Sequence, residues 1–348
     1  MKNKIKVGLI GSGFVGQVAH ISSLHNLKNV KIVALSELRN DLGLKVCKKY
    51  NIEKFYNNFE DMLAENKLDL VVAIVRRYHT AGVALKVLAK GFNLFTEKPM
   101  APSYQQAKKL LHVSKKKKVS YVIGNMRRFD EGINYVHKVL KNKSKLKKEL
   151  GEILNFRSYC YAGNDYCNID GDIKTSELPP TNSPNPKFPL WIKSKKEGWK
   201  FEKFLNYFSH DINLIRYFFG EKFKIKTIMK KNNGNVIFDY GNFYGIFDYI
   251  YSDNKIWREG FEINFSKGSI IIDLPPAFLK NQPSKVKICY HNGLKKVFEP
   301  IFDWSWSFKN QTKQLINIIS NKKKSISSAE DSIKDLELIE RIWKSRNS

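Results

Sequence analysis

Short, β-branched apolar runs alternate with longer amphipathic stretches over roughly the first 125 residues. Runs at 5–10, 30–35, 70–75, 93–96 and 120–123 read as buried strands. Between them the apolar residues fall at helical spacing, as at Val83, Val87 and Leu88 and again at Ala107, Leu110 and Leu111. Strands that alternate with helices of this length predict βαβ units. Right-handed crossovers then arrange those units as an N-terminal Rossmann domain, a doubly wound parallel sheet.

Beyond Arg128 the pattern changes. A helix is predicted over 130–141 and a strand over 153–159. A polar segment over 162–200 follows, carrying Pro179, Pro180, Pro184, Pro186 and Pro189. It is too long for a plain connector and predicts a functional loop or lid. A helix over 204–219 stops at Gly220, and strand-like runs succeed one another at 245–251, 261–265, 269–273 and 286–290. Strands without intervening helices predict an open, antiparallel or mixed sheet. Helices over 305–319 and 329–343 close the chain, the second preceded by Ser327 and Ser328 as N-caps. The fold class is therefore α/β, with a Rossmann domain over 1–125 and a second α/β domain over 126–348 whose C-terminal helix could pack back on the first. A chain of 348 residues exceeds what one core usually organises.

Composition adds mostly exclusions. No window holds about 20 consecutive apolar residues, the length a spanning helix needs. The lysine-bearing start leads into an apolar run that ends in Gly11-Ser12-Gly13, unlike a signal-peptide cleavage site, so a cytoplasmic protein is expected. Cys47, Cys160, Cys167 and Cys289 form no CxxC and accompany no histidine cluster. They read as inert thiols, with no metal site, and a Cys160–Cys167 disulfide would be unusual in a reducing compartment. The net charge of +28 is mostly lysine. The runs at 115–118 and 322–324 read as solvated helix ends and turns without interleaved aromatics. Nucleic acid is thus an unlikely partner, while a positive field would favour anionic substrates.

Three motifs carry candidate chemistry. Gly11-Ser12-Gly13-Phe14-Val15-Gly16 follows a strand directly and opens a helix. In that context Gly11 permits a tight turn, Gly13 lets backbone approach a pyrophosphate, and Gly16 allows close helix–sheet packing. The helix N-terminus then presents free N–H groups and a positive dipole end to the phosphates. Glu37 ends the second strand 21 residues beyond Gly16, where an acid hydrogen-bonds the adenosine ribose of NAD. Arg39 stands close enough to meet a 2′-phosphate, which keeps NADP open. Glu97-Lys98-Pro99 follows the 93–96 strand, at the edge where open α/β sheets bind ligands. A lysine there donates to a substrate hydroxyl, or accepts its proton if burial lowers its pKa. The same tripeptide is equally a plain strand end and turn. Asn206 and His210 lie four apart on a predicted helix and share a face. Such a histidine suits a general base, although a lone histidine is more often structural.

The order of these pieces, with Arg127-Arg128-Phe129-Asp130 between Pro99 and Ser209-His210-Asp211, resembles the glucose–fructose oxidoreductase/inositol dehydrogenase (Gfo/Idh/MocA) family. The resemblance runs nearly the whole chain, to a tail at 330–345 that looks like the family's closing helix. It implies an NAD(P)-dependent oxidoreductase whose second domain has a large open sheet and makes dimer or tetramer contacts. It implies that Lys98 sits beside the nicotinamide, with Lys98–Pro99 cis, and that His210 is the active-site histidine. Glu97 and Pro99 would join the cofactor contacts, and a sugar, cyclitol or sugar nucleotide would be the substrate. Two features depart from the pattern. Asn206 stands where many members have an aspartate, so it orients a substrate but cannot act as a base. Arg76-Arg77-Tyr78-His79 replaces the more usual Pro-Asn loop, its arginines facing a substrate anion, the cofactor phosphates or solvent. Arg128 would line the cleft or tie the domains together. Trp191 and Trp199, in the proline-rich segment, would stack on a sugar ring or simply pack. Two alternatives remain: a non-catalytic dinucleotide-binding regulator of the same fold, and a reductase of a non-sugar carbonyl.

Overall fold

The first sheet is built from six strands whose residues are mostly buried, which is why their sequences are apolar without interruption rather than alternating. In the computed structural model, which describes residues 4–163, 169–178, 188–229 and 233–346, these are β1 (Ile5–Ile10), β2 (Val30–Ser36), β3 (Lys54–Tyr56), β4 (Leu70–Ala73), β5 (Leu94–Glu97) and β6 (Tyr121–Gly124). They pair in parallel in the order β3-β2-β1-β4-β5-β6. The order reverses between β1 and β4, so the carboxyl ends of those two strands flank a crevice. The predicted strands recur within a few residues. Edge strand β3 was not anticipated, since Lys54-Phe55-Tyr56 is too short and too exposed to carry a pattern.

Two compact units divide the chain. The first takes in Met1–Asn125 together with Asp170–Asn206 and Phe308–Glu337, segments from the 126–348 stretch. The reason is burial. Leu315 and Ile316, on helix Ser307–Asn321, join Val7, Leu9, Val72, Phe95 and Val122 in one core, with Ile173 packed against it. Distant segments thus cover an apolar sheet face that 1–125 leaves open. The outer edge of β6 is covered too. Ser327 Oγ donates to the Ile123 carbonyl at 2.7 Å and the Ile123 N–H to the Ser327 carbonyl at 2.9 Å. Ser328 alone serves as the expected helix cap, accepting from the Asp331 N–H at 3.4 Å.

The second unit (Met126–Ile169, Tyr207–Ser307 and Leu338–Ser348) holds an eight-stranded sheet. Its strands are β7 (Ile153–Ala162), β8 (Lys224–Met229), β9 (Asn233–Asp239), β10 (Tyr244–Tyr251), β11 (Arg258–Phe265), β12 (Gly268–Leu274), β13 (Lys285–Asn292) and β14 (Leu294–Phe298). The order is β14-β13-β12-β11-β7-β10-β9-β8; β7 and β10 are parallel and every other pair is antiparallel. Period-two alternation buries Phe156, Phe238, Phe247, Phe261 and Ile263. Helix Lys195–Phe219 starts nine residues before the predicted 204, because Ser194 caps a polar first turn that shows no apolar stripe. Among the second-unit residues of that helix, Phe219 stacks on Phe156 with ring centroids 4.0 Å apart. Cys167 and most of the proline cluster lie outside the described residues; Cys47, Cys160 and Cys289 are free thiols. No helix among the described residues is long and apolar enough to cross a membrane.

Gly245 leaves room for that aromatic stack. A Cβ there would stand 1.9 Å from Phe156 Cζ. Gly245→Ala should therefore destabilise the protein by about 1–3 kcal/mol. The measurement is urea unfolding, with a lower midpoint and an unchanged slope; an unmoved midpoint would show that Phe156 can yield.

Candidate active site

The glycine-rich loop occupies the carboxyl end of β1, at the reversal of strand order. Gly11 has φ of +87°, and a Cβ on it would stand 2.3 Å from the Ile74 carbonyl oxygen. No other residue fits that turn. Gly16 packs against the Gly11 carbonyl, where a Cβ would approach to 3.2 Å. A Cβ on Gly13 would meet nothing nearer than an Arg39 nitrogen at 4.0 Å. Gly13 therefore stands open, and the chain is helical from Phe14 onward, through Val15 and Gly16. These are the features a phosphate-bearing ligand needs at a helix N-terminus.

Glu37 is buried, and its carboxylate is shared. It accepts from the Ser12 N–H at 2.9 Å and the Ser12 hydroxyl at 3.0 Å, and from Arg39 Nε at 2.9 Å and Nη2 at 3.2 Å. Burial pushes its carboxyl up, but the Arg39 guanidinium and the Ser12 N–H outweigh this and hold it below the usual range. The acid at the end of β2 is thus also the clamp of the glycine loop. Glu37 and Arg39 face a cavity of about 410 Å³, together with Gly11, Gly13, Leu38 and Arg76. Its open glycine backbone, apolar Leu38 and paired acid and arginine fit the adenosine half of a dinucleotide.

Glu97, Lys98 and Pro99 end β5 on the same edge, since all six strands are parallel. Glu97 is wedged in place. His20 Nε2 lies 2.8 Å from its Oε1, and a Cβ on Gly124 would stand 2.7 Å from that same atom. The Lys98 N–H donates to Glu97 Oε2 at 3.2 Å, and the Lys98–Pro99 bond is cis. Lys98 Nζ donates to the Asn206 carbonyl at 2.5 Å. His20 was not singled out by sequence reasoning. Its signal was its place, four residues past Gly16, on the helix that packs behind the loop.

Asn206 and His210 both lie on helix Lys195–Phe219, one turn apart and half-buried. Asp211 is fully buried beside Cys160; burial and the Glu259 carboxylate push its carboxyl well above the usual range, and burial and Asp211 push the Cys160 thiol up. The Arg127-Arg128-Phe129-Asp130 run is likewise interior. Arg127 pairs with Glu259 and donates to the Pro275 carbonyl at 2.9 Å. Arg128 donates to Asn213 Oδ1 at 2.7 Å and lies 4.7 Å over the Tyr217 ring. Asp130 caps helix Glu131–Lys141 and accepts from Ser284. In the first unit, Trp191 meets Phe201 edge-on at 5.7 Å, and the more exposed Trp199 meets Phe188 at 5.6 Å. Arg77 pairs with Glu202, whereas Arg76 lines the cavity beside Gly11. The two arginines are thus differently employed.

Gln17 is a further residue that reasoning from the sequence did not single out. Its amide donates to the Ser12 carbonyl at 2.8 Å and exchanges hydrogen bonds with the Ile173 backbone, at 3.1 Å and 2.8 Å. It ties the glycine loop to Asp170–Leu178, part of the predicted lid segment. Glu177 Oε2 from the same stretch accepts from the Leu42 N–H at 3.2 Å, in the first turn of helix Asn40–Tyr50.

Known proteins resemble this chain in part of its sequence and in its fold. Residues 5–125 match the model of the oxidoreductase family with an NAD-binding Rossmann fold. The inositol 2-dehydrogenase/D-chiro-inositol 3-dehydrogenase of Lacticaseibacillus casei is 32% identical over 133 residues, 37% of this chain and 38% of that one. The chain thus spans about two fifths of the length of the curated relatives it matches. Likeness of fold extends further. A putative NADPH-dependent oxidoreductase from Desulfitobacterium hafniense superposes with a TM-score of 0.81, covering 100% of this chain and 96% of its own at 15% identity. A 3-ketoreductase from Actinomadura kijaniata, solved with TDP-benzene and NADP, gives 0.74 over 99% of this chain and 98% of its own, also at 15% identity. Residues 5–125 are thus similar to the Gfo/Idh/MocA family of oxidoreductases with an NAD-binding Rossmann fold, and likeness of fold extends over the rest of the chain.

Proposed function

We propose that the protein is an NAD(P)-dependent dehydrogenase or reductase acting on a carbinol or ketone carbon of a sugar, cyclitol or nucleotide sugar. The observation that carries this reading is Lys98. It stands at the carboxyl end of β5, on the same sheet edge as the open glycine loop, with its ammonium held by the Asn206 carbonyl. The inositol dehydrogenases among the relatives and the TDP-ligand of the ketoreductase support a polyol or its nucleotide derivative.

In this reading a bound NAD(P) would supply the hydride donor or acceptor. Gly11, Gly13 and the N-terminus of the helix that starts at Phe14 hold the pyrophosphate, and Glu37 and Arg39 hold the adenosine ribose. Glu97 fixes the backbone at Lys98, and Lys98 passes a proton to or from the substrate oxygen as the charge on that oxygen changes. The Asn206 carbonyl accepts from Lys98 Nζ and so orients the lysine head. His210 is the second proton carrier, on the family resemblance, and an imidazole suits that task near neutral pH. Asn206 orients the substrate. A second copy of the chain covers the exposed apolar residues of β14 and the loop after it, among them Leu294, Ile301 and Trp304.

Lys98→Ala should lower turnover by about 100-fold or more, the usual scale for a lost proton-transfer group, while NADH still binds. The check is nicotinamide absorbance against a panel of sugars, cyclitols and nucleotide sugars, with NADH affinity by fluorescence. Undiminished turnover would remove Lys98 from the chemistry.

Glu37→Ala should weaken NADH by about tenfold and NADPH by less, because it removes a ribose acceptor and frees Arg39 for a 2′-phosphate. Paired titrations of the two cofactors measure the ratio of affinities. Equal losses would assign Glu37 to clamping Ser12 alone.

Ile301→Asp with Trp304→Asp should shift the protein to a monomer in sedimentation experiments. A wild-type chain that already sediments as a monomer would contradict the assembly.

A further inference from the structure

Two lysine runs far apart in sequence meet at one place in the first unit. Lys115 and Lys118 lie at the end of helix Tyr104–Lys117, and Lys322, Lys323 and Lys324 follow helix Ser307–Asn321. All five line a single cavity of about 450 Å³. Its floor includes Tyr121 and Val122 at the start of β6, so it opens at the amino edge of the sheet, opposite the glycine loop. Helix Ala329–Ser345 begins on its wall, capped by Ser328.

We infer that this cavity is a second ligand site, built for a small anion carrying two or more phosphoryl groups. Lysines in a helix's last turn ordinarily complement its dipole, and one or two per helix suffice for that. Here five lysines line one concavity; among the described residues Glu330 is the only acid in its lining, and none of the five side chains makes an ion pair or hydrogen bond. Their mutual repulsion is offset by a compact multivalent anion, whose charges meet several ammonium groups at once. Among the described residues the lining cations are all lysine, whose ammonium groups act as point charges and suit phosphoryl oxygens. A start of a capped helix on the same wall adds further N–H groups of favourable polarity. The shape argues for a small ligand. The aromatic on the wall, Tyr121, is 4% exposed and bonded to Thr96, so no ring is offered for base stacking.

The test is calorimetric titration of the full chain with inorganic tripolyphosphate at low ionic strength, in excess NADH. One tripolyphosphate should bind per chain. Lys322→Gln/Lys323→Gln/Lys324→Gln should weaken it by about tenfold or more, and Lys115→Gln/Lys118→Gln, from the other lysine run, should also weaken it. Added salt should shrink these differences, as screening shortens to about 8 Å at physiological ionic strength. NADH affinity should be unchanged in both variants, which also shows that they are folded. Wild-type binding that both variants retain would place the anion elsewhere, and binding abolished by NADH would assign it to the glycine loop; either overturns the inference. So would the absence of saturable binding, or a duplex DNA that binds through the same lysines when tripolyphosphate does not.

Discussion

The Ile74 carbonyl stands where a side chain on residue 11 would begin, and much of the first unit follows from that contact. Backbone leaving β1 passes so close to backbone leaving β4 that only glycine fits, in a left-handed turn. The turn throws the chain into its helix at the point where strand order reverses, and Gly16 then seats on the Gly11 carbonyl. The crevice at the switch point is therefore a product of sheet topology and one missing Cβ. Glu37 stabilises the result by engaging the Ser12 N–H from the neighbouring strand end, so one acid couples the proposed ribose site to loop shape.

A second close approach builds the other half of the sheet edge. Glu97 lies against Gly124 and His20, and its remaining oxygen accepts from the backbone of Lys98. A carboxylate gripped from two elements fixes the backbone from which the proposed catalytic lysine projects. Precise placement matters to such a group because proton transfer demands hydrogen-bond reach to the substrate oxygen. Packed interior groups hold the backbone there, while the lysine head donates to the Asn206 carbonyl. The same economy is seen in the second unit, where the Arg127–Glu259 pair, Asp130 and Arg128 spend their charges on one another, on Ser284, on Asn213 and on Tyr217. Burying such charges is tolerable only because each finds a partner.

Much of the fold was legible in the chain because a parallel sheet is buried on both faces and leaves unbroken apolar runs. The glycine motif, Glu37 and Glu97-Lys98-Pro99 were legible for a related reason: each falls at a strand's end, and strand ends are where such runs stop. The second sheet was legible as strands but incompletely, since β14 is exposed along its length and β8 is half-exposed, and neither alternates cleanly. His20 and Gln17 were not legible as site residues. Each lies inside a helical pattern, and nothing local marks the partner it meets, Glu97 in one case and Ile173 in the other.

The sequence by itself determined the class of fold, the glycine turn, the acid after β2 and the lysine after β5, because these depend on periodicity and on residues close together in the chain. Tertiary structure alone decided which segments complete the first unit, since covering an apolar face depends on shape and area and not on chain order. It alone showed that Arg127, Arg128 and Asp130 are interior, and that two lysine runs resembling ordinary helix ends share one cavity. Charge and burial are properties of neighbourhoods, and neighbourhoods exist only once the chain has folded.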